Sequence, residues 1–206
     1  MRKFSLFSLV LLGAAAVIAS VNISVEAQRR DFLTDDEIEI VRDTQQIDQR
    51  VAVLVHAADR RFTALGIANA ETGDNDKDVK KDKKEKDSDK WGAVPTGTRF
   101  ELLDDVRRIL QKAADDIDNL ATRPDSIVVE GPAKNQKPKT YKEVFPKAVH
   151  ILASAAKRFK PILEKQTDLA KDEREKGVIL QSIELCGEII NAESQLQPTT
   201  PVKSSN

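Results

Sequence analysis

Residues 98–120 read TRFELLDDVRRILQKAADDIDNL, and the fold class follows from this stretch. Leu103, Val106, Leu110, Ala113, Ile117 and Leu120 recur at alternating steps of three and four. That spacing lays one apolar stripe along one side of an α-helix, in the seam pattern of a coiled coil. Thr98 and Glu101 stand three residues apart just before the stripe. They form a capping box, in which each side chain bonds the other residue's backbone N–H. Pro124 lies just past the stripe and cannot continue a helix.

The same pattern recurs on both sides. Upstream, Thr34 and Glu37 make a second capping box, and Asp35 and Asp36 suit the positive end of a helix dipole. Ile47, Val51, Leu54, Ala58 and Leu65 supply the stripe, widened by Val55 and Phe62, and a break over Thr44–Asp48 predicts a short helix before a longer one. Downstream, Thr140 and Glu143 open a third segment with the stripe Phe145, Val149, Leu152, Ala156, Phe159, Leu163. Pro146 and Pro161 lie inside it, which predicts a helix that bends or starts late. A fourth segment opens near Asp172 and carries Ile179, Ile183, Cys186 and Ile190, with Leu180 and Leu185 alongside. Strand alternation is nearly absent. Four amphipathic helices bury their stripes only against each other. The expected fold is therefore all-α, a single four-helix bundle with an extra short N-terminal helix.

The expected organisation has three parts. Met1–Ala27 reads as a cleaved signal peptide: a basic start at Arg2 and Lys3, an apolar run from Phe4 to Ala19, and small residues at Val25 and Ala27 before the cut. The apolar run is shorter than the roughly 20 residues of a spanning helix. The expected location is therefore extracytoplasmic, periplasmic or secreted, with no stable membrane span after cleavage. Residues 28–197 form the bundle domain, and 198–206 a disordered tail rich in Ser, Thr and Pro. Inside the domain, 68–97 is expected to be a flexible charged loop. Between Asp74 and Lys90 it holds seven lysines and seven acidic residues and almost nothing apolar to offset its ordering entropy.

Composition excludes several functions. The chain has 33 Lys plus Arg against 34 Asp plus Glu, a net charge of -1, which gives no electrostatic case for nucleic acid. One Cys forbids an internal disulfide or a cysteine zinc cluster, and two His residues on different segments give no ligand pattern. The Glu-x-x-His repeat of di-iron bundles is missing, and the only Met is Met1. No metal or cofactor is expected. Cys186 sits on an apolar stripe and reads as a small buried hydrophobe. His56, three residues before Asp59, reads as locally hydrogen-bonded. Arg60–Arg61, Arg107–Arg108 and Lys157–Arg158 with Lys160 read as exposed helix charge, because neighbours point about 100° apart and at most one of each pair joins a patch.

No glycine-rich phosphate loop, nucleophile elbow or paired-carboxylate motif is present. The expectation is a non-enzymatic contact or scaffold module whose partner is protein, either a second copy or an envelope component. Its candidate contact surface is Trp91, at the edge of the charged loop, with Ile127, Val128 and Val129, an apolar flap in the 123–139 connection. The competing expectation is a bundle that binds a small molecule or metal in its interior, or a hydrolase using carboxylates that spacing alone does not reveal.

Overall fold

The structure, a computed structural model, describes residues 30–67, 89–123 and 140–196. Chain contacts divide it into Met1–Arg30 and Asp31–Asn206. Of the first unit only Arg30 is among the described residues, and the helices belong to the second. The signal-peptide stretch 1–27, the loop over 68–88, Ile127–Val129 and the tail 198–206 lie outside the described residues.

The described residues are helical, with no strand among them. A short α1 (Asp35–Asp43) precedes α2 (Ile47–Ala64), with the expected break between them. Then come α3 (Arg99–Ala121), α4 (Tyr141–Thr167) and α5 (Glu173–Gln195). Every helix start except that of α2 carries a polar cap. Thr34 and Thr98 accept the N–H of Glu37 and Glu101, and Asp172 accepts that of Glu175. At Thr140 the returning half of the box forms, its N–H donating to Glu143 at 2.8 Å. α2 ends on Gly66, at φ +72, with Ile67 N–H bonding the Phe62 carbonyl and Gly66 N–H that of Thr63. This left-handed closure favours a residue without a Cβ.

The expected stripes supply the core. Val51, Leu54, Ala58, Phe62, Leu103, Val106, Leu110, Leu152, Ala156, Phe159, Leu163, Ile179 and Cys186 are all buried. Phe62 and Phe159 meet across the core, ring centroids 5.1 Å apart. Two stripes are rotated from their expected centres. On α5 the buried line is Ile179, Ser182, Leu185, Cys186, Ile189, while Ile183 and Ile190 are half-buried at its margins. Ser182 occupies this line because its hydroxyl bonds back to the Val178 carbonyl at 2.8 Å. On α4 the line begins at Val144, and Phe145 instead stacks on Tyr141.

α4 also corrects the expectation of a late start. It runs unbroken for 27 residues from Tyr141 with Pro146 and Pro161 inside it. Each proline removes one backbone donor, at a cost of about 3 kcal/mol in an isolated helix. Core residues grip the helix on both sides of each: Val144 and Ala148 around Pro146, Phe159 and Leu163 around Pro161. Packing outweighs the local penalty.

Polar contacts set the helix directions. Arg99, at the start of α3, bonds Glu175 at the start of α5 and Gln166 at the end of α4. Arg61, near the end of α2, faces Asp105 near the start of α3. One end of the bundle therefore gathers the ends of α2 and α4 and the starts of α3 and α5. α2 packs beside α3 and α4, and α5 beside the same two. α3 and α4 touch across the diagonal, and α2 and α5 stand apart. Neighbours α2 and α4 run parallel, as do α3 and α5.

Leu110 lies at the centre of the stripe and is fully enclosed. Leu110→Ala is expected to lower unfolding stability by about 2–5 kcal/mol, from lost burial plus the cavity left behind. Urea unfolding followed by far-UV circular dichroism measures this, with the midpoint falling and the slope unchanged.

Candidate functional site

Arg60 and Arg61 follow the buried pair Ala57 and Ala58 and precede buried Phe62. The expectation of exposed helix charge fails here: both arginines are buried, and they converge on Glu37. Glu37 has 0% exposure. Its Oε1 accepts from Arg60 Nη1 at 2.6 Å and from Arg61 Nη1 at 2.5 Å. Its Oε2 accepts the Thr34 N–H at 2.9 Å. The capping glutamate of α1 is thus also the counter-ion of both arginines. Adjacent residues diverge on a helix, but a guanidinium on a long stem reaches across that divergence. α1 brings its carboxylate to where the two forks meet.

Each arginine then ties down a further segment. Arg61 donates to the Ala57 carbonyl at 3.0 Å and the Phe32 carbonyl at 2.7 Å, and its Nε lies 3.7 Å from Asp105 of α3. Arg60 Nη2 donates to the carbonyls of Gly92 and Ala93, at 3.1 and 2.5 Å. These two belong to a strap, residues 89–98, which opens with a 3-10 turn at Asp89–Trp91. The last part of the expected flexible loop 68–97 is therefore packed against the bundle, because Arg60 supplies donors to its backbone. The strap passes so close to α1 that a Cβ on Gly92, which sits at φ +59, would lie 1.8 Å from the Asp36 carboxylate. Only glycine satisfies both the backbone angle and the approach.

Trp91 lies on this platform. Its ring meets that of His56 edge-on, centroids 4.4 Å apart, and the Arg60 guanidinium sits 5.6 Å from its centre. Trp91 is half-buried against the core, His56 is exposed, and Val94, three residues further along the strap, is 53% exposed. The expected contact residue is thus half-buried between the His56 ring and the Arg60 guanidinium. Asp59 is paired in bidentate fashion with Arg158 of α4, both bonds 3.0 Å. No sequence signal placed Glu37 as a buried ion. The available clue was an Arg–Arg pair bracketed by core residues, which exposed charge does not explain.

Other polar features lie elsewhere on the bundle. Cys186 is free and enclosed, and burial pushes its thiol up to about 12 against a lowering influence of Lys160. It is chemically quiet. A solvent-facing hollow of about 430 Å³ at the α4–α5 turn is lined by Asp168, Lys171, Asp172, Glu173 and Lys176, charges of both signs. On the outer side, Glu193 of α5 accepts from Lys157 at 2.6 Å and lies 2.7 Å from His150 Nδ1, both on α4. These bonds hold the Glu193 carboxyl below its ordinary value of 4.5, Lys157 contributing most. No group of three or more metal-ligating side chains is found among the described residues. No protein family, curated protein or solved structure matches the chain.

Two outcomes follow from these charge contacts. Glu37→Ala leaves two guanidinium groups facing each other in a buried site, and is expected to cost about 3–5 kcal/mol in urea unfolding, the scale of breaking one side of a buried ion pair. For Glu193 the folded-state pKa is the lower one, so its stabilisation is present above the ordinary carboxylate value and is lost as pH falls through the depressed one. The wild-type melting temperature should exceed that of Glu193→Gln at neutral pH. The gap should close below 4.5.

Proposed function

We propose that this chain is an exported helical-bundle protein that works by protein contact, not by chemistry at an interior site. Its contact surface is the strap platform: Trp91 framed by His56, with Val94 beside it. The supporting observation is that one buried charge pair, Arg60 with Glu37, also binds the strap that carries this aromatic surface. Arg60 touches Glu37, the carbonyls of Gly92 and Ala93, and the Trp91 ring. A half-buried tryptophan with a fixed edge is an anchor that loses little side-chain entropy on docking.

The buried carboxylates support the same reading. Glu37, Asp59, Asp105 and Glu175 face arginines, and Asp48 accepts the Gln49 N–H near the start of α2. The first four are committed to joining helices rather than converging on a cleft. Export rests on the Met1–Ala27 pattern, with its basic start, apolar run and small residues before the cut.

The test is a crosslinked pull-down of the tagged full chain from its native envelope, read by mass spectrometry, with Trp91→Ala alongside. Wild type is expected to retain a specific protein that Trp91→Ala loses, while circular dichroism shows both folded. Identical retained sets from two folded proteins would overturn the assignment of this surface.

A further inference from the structure

The outer side of α5 carries a pattern that the bundle leaves unused. Leu180 is 48% exposed and, among the described residues, is the large exposed hydrophobic that lies within a helix; Val94 and Leu169 lie in connections. Lys176 stands four residues before Leu180 and Glu184 four after it, and both are exposed. One turn apart on each side, the three side chains share a strip of surface. Neither Lys176 nor Glu184 pairs with an oppositely charged side chain among the described residues.

We propose that this strip is a self-association surface, on which a second copy of the chain lays its own α5 antiparallel about a two-fold axis at Leu180. Over these three residues the charge order fits that occupant and that direction, while exposed Asp172 and Glu188, one turn further out, face each other as like charges and weaken the contact. About such an axis Leu180 meets the partner's Leu180. Lys176 then faces the partner's Glu184, and Glu184 faces the partner's Lys176. The sequence Lys–Leu–Glu at equal spacing is its own complement when reversed, as an isologous contact requires. A parallel arrangement would set Lys176 against Lys176 and Glu184 against Glu184, which like-charge repulsion disfavours. The helix is also thin beside the strip. Gly177 and Gly187 lie within α5, and a Cβ on either would meet nothing within 4 Å, so a neighbouring helix has room to come close.

A contact of one helix against one helix buries less than the roughly 1,600 Å² of a standard stable interface. The dimer is accordingly weak, concentration-dependent and loosened by salt. This inference goes beyond the Trp91 reading and does not rest on it. α5 stands diagonally across the bundle from α2, which carries His56, so failure of one surface leaves the other untouched.

The experiment is sedimentation equilibrium of the full chain from about 10 μM to about 1 mM. It compares wild type, Lys176→Glu, Glu184→Lys, and an equal mixture of the two variants. Wild type should dimerise as concentration rises. Each variant alone sets like charges against each other twice and should associate at least tenfold more weakly. The mixture restores both opposite pairs in a heterodimer and should regain wild-type association. Both sites are exposed, and circular dichroism checks that the variants fold. A wild type that stays monomeric throughout overturns the proposal. So does a dimer that neither variant weakens, or a mixture that fails to recover.

Discussion

The Glu37 carboxylate, shut away from water between Arg60 and Arg61, is the constraint on which the rest of this structure depends. A lone carboxylate in that position would be strongly disfavoured, and so would two guanidinium groups without it. Together they satisfy one another, and their remaining donors bind segments that have little else to hold them. α1 has nine residues, too few to persist alone in water. The strap at 89–98 consists mostly of irregular backbone. Both are fixed because a single acidic side chain caps α1 and bonds two arginines of α2, with Asp105 beside Arg61 as the second negative charge. A neutral hydrophobic plug of similar size would pack, but it would not orient the carbonyls of Phe32, Gly92 and Ala93.

Beyond this knot, stability comes from apolar burial between four long helices. The arrangement around the ring is not the simplest one. Consecutive helices α3 and α4 stand diagonally, so two neighbouring pairs run parallel. Ion pairs near one end match this order. Arg99 joins α3, α4 and α5, and Asp59 with Arg158 joins the parallel pair α2 and α4. Charge that looks solvated in a linear reading thus acts as a set of alignment pins between helices. The tolerance of Pro146 and Pro161 has the same origin: tertiary contacts on both sides of each proline outweigh a local defect.

The two proposed surfaces are built in different ways. On the side of α2, buried Arg60 lies over the Trp91 ring and bonds the strap backbone. Diagonally opposite, α5 presents a leucine between a lysine and a glutamate, neither of which pairs with an opposite charge among the described residues. One surface is built by long-range contacts, and the other is written along a single helix.

That difference also separates what the sequence determined from what the tertiary structure decided. Helix number, the break before Ile47, the capping boxes at Thr34 and Thr98, and the burial of Leu103, Leu110, Phe159 and Cys186 follow from spacing and residue type. They are local: a helix repeats every 3.6 residues, and its stripe can be read without knowing what covers it. The Trp91 position was legible as the edge of the charged segment, but not the Arg60 donors that fold the strap onto the bundle. The convergence of Arg60 and Arg61 on Glu37, the ring order of the helices and the few residues by which the α5 stripe is rotated were decided only in three dimensions. The arginine–glutamate bonds span 23 and 24 residues of chain, and whether a charge is solvated or buried is a property of what packs over it.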